Sequence, residues 1–313
     1  MTPFEAMQAA VDVVLTSEHI KNKIAACLFT DKDHIVGTNH RPAKLKNSFT
    51  PDIRVGDSSQ FIHAEVGCIY KSNIATDESS LCVTDPFCPN CAKAIAESGI
   101  RHVYIDHKGL DKDFAKRRGE DFESLSLLIM EKAGIHVSIL YRKEQRIEPL
   151  LTPPIMTRIA TTGLEFFDCV DDLPMADIMS SFRKRQPKSA WACARVKESN
   201  GKTTGILIFE GLPPGLTPHD YVDKKSKGHG TEKYGMTIDP MNRLMFYLKR
   251  KNMALLNSEI GCNLTPSSRA FVNAIGFGVQ KITIGHNDTA IGTPDVSAIQ
   301  ILDKNGILQL SGL

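Results

Sequence analysis

Long apolar runs are missing from this chain: no stretch approaches the roughly 20 residues that cross a bilayer as a helix. That sets aside a helical membrane protein. The opening Met1-Thr2-Pro3-Phe4-Glu5 lacks both the basic start and the apolar stretch of a secretory leader. An excess of one charge is missing too; the formal net charge is +2, too small to argue for nucleic acid by itself. Aromatic residues are scarce at 7%, which weighs against a stacking groove for single strands. No disulfide framework is visible among the eight cysteines, Cys27, Cys68, Cys82, Cys88, Cys91, Cys169, Cys193 and Cys262. Most fall in apolar strand or helix patterns, as small buried residues do; this is the usage of a reducing compartment and predicts a cytoplasmic protein. What remains is ordinary globular composition, 42% hydrophobic and 24% charged, over 313 residues, a length for two domains.

The chemistry is concentrated between Phe61 and Ile95. This stretch opens with His63-Ala64-Glu65 and closes with Cys88-Pro89-Asn90-Cys91. One imidazole and two thiolates suit a borderline-soft metal such as zinc and leave a fourth tetrahedral position open, where a water is acidified to near neutrality. The interval between His63 and Cys88 leaves room for a helix, a turn and a strand. Val66 to Tyr70 reads as the helix, Ser80 to Thr84 as the strand, and Ala92 to Glu97 as a second helix directly after the cysteines. His63 and the cysteine pair therefore stand at two helix starts, whose positive ends favour thiolates and a developing anion. A structural zinc knuckle would need a fourth protein ligand, and the sequence has no partner Cys-x-x-Cys or His-x-x-x-His. A redox pair would leave His63-x-Glu65 unexplained. The pattern points to one catalytic zinc per chain, held by His63, Cys88 and Cys91, with Glu65 as a proton-transfer group.

Helical spacing of Phe4, Met7, Val11, Val14 and Leu15 after Thr2-Pro3 predicts a first helix through about Ser17. Ile24 to Thr30 and His34 to Thr38 read as an antiparallel pair of strands, and Asn39 to Asp57 as a loop leading to His63. In that loop Arg41, Lys44, Lys46 and Arg54 are candidates to meet a phosphate, a solvated basic loop being the equal alternative. His102 to Asp106 is a strand, His107 to Arg118 a polar loop, Phe122 to Ala133 a helix stopped by Gly134, and Ile135 to Tyr141 a last strand. Alternating strands and short helices predict an α/β protein with three α/β/α layers.

At these residues the first half resembles the cytidine/deoxycytidylate deaminase superfamily, and most closely its deoxycytidylate (dCMP) deaminase branch. The likeness runs through Lys23 to Cys27, Ile35 to Pro42, the two metal motifs, Ser98 to Tyr104 and Leu127 to Ile135. One departure is Phe87, which stands where the family has Pro before the first cysteine; Pro86 is one residue earlier. The resemblance implies a mixed sheet and hydrolytic deamination of a cytosine nucleotide or nucleoside to the uracil form. Zinc hydroxide would be the nucleophile at C4 and Glu65 the proton shuttle. It further implies that Asn39 hydrogen-bonds the sugar. The backbone amide of Ala64 and a carbonyl near Asp85 or Pro86 would hold the base edge, with Phe87 altering the pocket floor.

Residues 1–148 make this first domain, 149–156 a Pro-rich linker, and 157–313 a second domain that reads as a worn copy of the first. Ser189 to Cys193 parallels Lys23 to Cys27, Gly205 to Phe209 the second strand, and Thr237 to Met241 parallels Phe61 to Glu65. Thr265 to Ser268 parallels Cys88 to Cys91, Val279 to Ile284 parallels Ile100 to Ile105, and Ser297 to Leu310 parallels Ser126 to Ile139. A rival match of Asn257-Ser258-Glu259 to His63-Ala64-Glu65 leaves too few residues for a helix and a strand. His229 lacks Cys partners and reads as a loop residue. The copy lacks cysteine ligands, so the two domains are expected to pack as a pseudo-dimer with one live site, further homo-oligomers being open. The basic runs Lys224-Lys225-Ser226-Lys227 and Arg183-Lys184-Arg185 read as solvated faces. The alternatives to a small-molecule enzyme are a polynucleotide deaminase acting on DNA or RNA and a nucleotide-sensing binding protein.

Overall fold

A computed structural model describes residues 1–312 except 113–118, 120–121, 155–160, 170–172, 184–188, 223–234 and 286–293. The run Lys224 to Lys227, His229 and the residues Lys184-Arg185 lie outside the described residues.

The first half begins with α1 (Pro3–Val13), whose start is fixed by a capping box between Thr2 and Glu5. It is followed by β1 (Ala25–Phe29), β2 (His34–Thr38), α2 (Ala43–Ser48), α3 (Ala64–Lys71), β3 (Ser80–Val83), α4 (Pro89–Glu97) and β4 (His102–Asp106). Then come α5 (His107–Leu110), a π-helical turn over Phe122–Ser126 running into α6 (Leu127–Lys132), β5 (His136–Tyr141) and β6 (Arg146–Leu151). The strands form one sheet in the order β2-β1-β3-β4-β5-β6. β1 is antiparallel to β2 and β3, β4 is parallel to β3 and β5, and β6 returns antiparallel. Three expectations change here. The loop from Asn39 to Asp57 contains α2, the loop expected from His107 begins with α5, and Pro149-Leu150-Leu151, expected in the linker, belong to β6. β6 is an edge strand, where a residue without an N–H costs no ladder bond on the open side.

The second half contains β7 (Leu164–Phe167), α7 (Met175–Arg183), β8 (Trp191–Lys197), β9 (Thr203–Phe209), α8 (His219–Val222), α9 (Pro240–Arg250) and β10 (Ala254–Leu255). β11 (Glu259–Cys262), α10 (Ser268–Phe277), β12 (Lys281–Ile284), α11 (Pro294–Lys304) and β13 (Gln309–Ser311) complete it. Its sheet order is β13-β12-β11-β8-β9-β7, with β10 pairing β8. From β9 to β13 the order and strand directions repeat those from β2 to β5. Glu259 opens β11, the counterpart of β3, which removes the rival match to His63-Ala64-Glu65.

Each sheet is covered on both faces, so its central strands are apolar throughout. In β1, Ala25, Cys27 and Phe29 pack under Met7 and Ala10 of α1, while Ala26 and Leu28 face the opposite side with Ile69 and Ile95. In the second half Met175, Met179 and Phe182 of α7 cover Trp191, Cys193 and Leu207. The inner helices of the two halves share one continuous apolar core.

Contacts across that core are reciprocal. α9 packs on α4 and α10 on α3. Tyr70 and Phe246, each seven residues past the cap of its helix, stack at 5.5 Å. Arg269 Nη1 donates to Phe61 O at 2.8 Å, and Lys93 Nζ donates to Thr237 O, the counterpart carbonyl, at 3.4 Å. The donors stand at different helix positions, but the reciprocal packing of the helix pairs is what a twofold interface gives. A fully buried ion pair, Arg243 Nε to Glu97 Oε1 at 2.7 Å, crosses the same boundary.

Candidate active site

α3 starts directly after His63 and α4 directly after Cys88. Both residues hold the N-cap in extended backbone, φ −69° and −81°, and neither side chain caps its helix. Their donors turn instead toward each other. His63 Nδ1 lies 3.2 Å from Cys91 Sγ and 3.6 Å from Cys88 Sγ, and the two sulfurs are 3.7 Å apart. Among the described residues this is the group of His, Cys or acidic side chains that could hold a metal ion. The hydrogen bonds of Ile62 with His40, N to O at 2.8 Å and O to N at 3.1 Å, deliver His63 to the site. Gly67 permits this approach, because a Cβ there would meet His40 Cε1 at 2.8 Å.

Glu65, the second residue of α3, is 2% exposed, and its Oε2 has no partner. Burial raises its pKa above the usual carboxylate range. The bond between the two sulfurs, with the charge of His63, holds Cys88 well below the usual thiol range against its burial. The same bond, with burial, pushes Cys91 up. One imidazole and two sulfurs converging at two helix starts, beside a buried carboxylate oxygen without a partner, are a donor set that fits zinc with an open position.

The triad and Glu65 open on a cleft of about 460 Å³. Asn39 lines it, buried, with Oδ1 accepting from Ala64 N at 2.8 Å and Nδ2 donating to Asn22 O at 2.9 Å. The expectation that the Ala64 amide stands open to a base is corrected: as the first amide of α3 it has no helical acceptor, and Asn39 takes it. Pro86 and Arg54 line the cleft, but Arg41, Lys44, Lys46, Asp85 and Phe87 do not. Arg41 is buried, donating to Gln60 Oε1 at 3.0 Å and to the carbonyls of Leu45 and Phe49, so it fastens the α2 loop rather than meeting a phosphate. Asp85 accepts from Thr84 Oγ1 and Lys112 Nζ, each at 2.8 Å. Phe87 is turned into the core, its ring 5.3 Å from Phe122 edge-on, and its carbonyl accepts from Ser126 Oγ. The residue in the place of the family's Pro thus fills space behind the site.

Several cleft residues escaped sequence reasoning. Ile238, just before α9, Asn242 and Phe246 of α9, and Arg269 and Asn273 of α10 line it from the second half, with Asp57 and Ser58 from the first. The available signal was a buried Asn inside each of two apolar helix patterns, Met241 to Phe246 and Phe271 to Ile275.

The helix starts of the second half carry no triad. Asp239 caps α9 at the counterpart of His63, and Ser267 caps α10 at the counterpart of Cys88. Ala270 then matches Cys91, two residues beyond the match read from sequence. The Asp239 carboxylate accepts from Met241 N at 2.8 Å and Ser267 N at 3.0 Å, joining two helix starts by itself.

A family model described as the cytidine and deoxycytidylate deaminase zinc-binding region matches residues 3–107. A protein of Aliivibrio fischeri, described as an uncharacterized deaminase in the luxG 3′ region, is 31% identical over 105 residues, covering 34% of this chain and 69% of that protein. Among solved structures, the dCMP deaminase of cyanophage S-TIM5, in complex with dCMP and dUMP, is 22% identical. The match covers 45% of this chain and 99% of that one, with a TM-score of 0.34. Acinetobacter baumannii RibD is 19% identical over 44% of this chain and 34% of its own, with a TM-score of 0.28.

Proposed function

Because this chain belongs to the cytidine and deoxycytidylate deaminase superfamily, we propose that it hydrolyses a free cytosine nucleotide or nucleoside to the uracil form and ammonia. The observation that carries the reading is the His63, Cys88 and Cys91 triangle beside the partnerless Oε2 of Glu65, at the bottom of a cleft large enough for one such ligand. His63 Nδ1 and the sulfurs of Cys88 and Cys91 would hold zinc, which when bound acts as a Lewis acid and acidifies water to near neutral pH. Glu65 takes a proton from the attacking water and delivers it to N3 of the ring. It then carries a second proton to the amino group, which leaves C4 as ammonia. Burial raises the affinity of Glu65 for the proton it must hold between those steps. Asn39 keeps the first turn of α3, and with it Glu65, in place through its bond to Ala64 N.

The second half is, in this reading, a degenerate copy that substitutes for a partner subunit. Its repeated strand order, the stacked Tyr70 and Phe246, and the Asp239 carboxylate at the counterpart of His63 support it. Ammonia release from cytidine, deoxycytidine, CMP, dCMP, dCTP and single-stranded DNA by zinc-loaded protein tests the function. Turnover of a free cytosine compound is expected; activity confined to DNA would replace this reading with that of a polynucleotide deaminase.

A further inference from the structure

The base of a substrate must lie against Glu65, so the remaining walls of the cleft meet the rest of the molecule. One of those walls is built by α9 and α10, from the half that carries no triad. Asn242 and Asn273 stand in it, 3% and 7% exposed, with Asn273 Nδ2 donating to Asn242 Oδ1 at 2.9 Å. Their helix neighbours Met241, Leu244, Phe271, Val272 and Ala274 are buried and apolar. Counted from the helix caps, Asn242 stands where α3 has Val66, and Asn273 where α4 has Ala94. The polar pair therefore belongs to one half alone. A carboxamide buried among apolar side chains is costly unless its hydrogen-bonding groups are used. The mutual bond uses one of the two N–H groups of Asn273 and leaves its second N–H and its carbonyl oxygen for a ligand. Arg269 fastens the wall in register, donating to Phe61 O at 2.8 Å and Ser59 Oγ at 3.1 Å, in the segment that delivers His63.

We propose that the Asn242–Asn273 pair reads the sugar of the substrate, Asn242 orienting Asn273 and Asn273 donating to and accepting from its hydroxyl groups, so that the second half determines specificity at the first half's site. The proposal rests on the deaminase reading above. A hydroxyl is both donor and acceptor, and so is each carboxamide, which makes the pair sensitive to the presence or absence of one hydroxyl on the ring.

The test is steady-state kinetics of Asn242→Ala, Asn273→Ala and Asn273→Ser on paired ribose and deoxyribose substrates, with metal content measured alongside. KM rises roughly tenfold or more in the alanine variants, kcat stays within about threefold, and the ribose-to-deoxyribose preference shifts, while zinc stays at one per chain. Asn273→Ser, which keeps a hydrogen-bonding group in a smaller volume, loses less than Asn273→Ala and carries the test if the latter fails to fold. Unchanged KM and unchanged sugar preference in folded variants overturn the proposal and leave the deaminase reading standing. If the wild type turns over none of the substrates, the deaminase reading falls first. Calorimetric binding of CMP and dCMP then decides the wall: weaker binding by the variants supports it, while equal binding, or none by the wild type, overturns it.

Discussion

Glu65 sits two residues beyond the cap of α3, so its carboxylate is fixed by the same turn that places His63. Glu65→Gln keeps the shape and removes the proton transfer. Turnover should fall by roughly 10²–10⁴-fold, the range for a lost general acid–base group, with zinc still bound by elemental analysis. Metal removal acts on the other side of the site. A chelator should abolish ammonia release and stoichiometric zinc should restore it, whereas Cys91→Ser should lower the zinc bound per chain. Phe87 belongs to the core rather than the cleft. Phe87→Ala should therefore cost about 3–5 kcal/mol in denaturant unfolding through the cavity it leaves against Phe122, with a smaller effect on KM.

At the scale of elements, both halves solve one problem: two helix starts, each with unsatisfied amides and a positive end, meet at the carboxyl end of parallel strands. In the first half the starts present His63, Cys88 and Cys91 to a common point. In the second half the Asp239 carboxylate bonds to an amide of each start. Asp239→Ala should remove the cap of α9 and the bond to Ser267 N and lower stability by about 1–2 kcal/mol, read as a lower thermal midpoint, with zinc content unchanged. Gly56 shows how closely the halves fit. It adopts φ +59°, and a Cβ there would meet Ser268 Oγ at 2.2 Å and Pro294 O at 2.3 Å.

The whole molecule is held together by an apolar core that runs through both halves and by charged side chains buried at their boundary. Arg243 is central: besides Glu97 it donates to Phe209 O and to Thr162 O at 3.0 Å. Arg243→Ala leaves the Glu97 carboxylate buried without its cation and should cost about 3–5 kcal/mol, whereas Arg243→Met combined with Glu97→Gln should recover most of that loss. Unfolding in urea, followed at both halves, checks the two variants against the wild type.

The sequence by itself determined that His63, Cys88 and Cys91 form one cluster able to hold a metal, with Glu65 beside it, because those residues lie in short motifs whose spacing is local and whose chemistry admits few alternatives. It determined most strands and inner helices as well, since burial on both faces of a sheet writes continuous apolar runs. It did not determine the roles of Arg41, Asp85 and Phe87, whose chain positions border the site while their side chains turn to Gln60, Lys112 and Phe122. Nor did it place Asn242, Asn273 and Arg269 at the cleft. That was decided by the packing of α9 and α10 against α3 and α4, a contact between residues far apart in the chain that no local period or motif encodes.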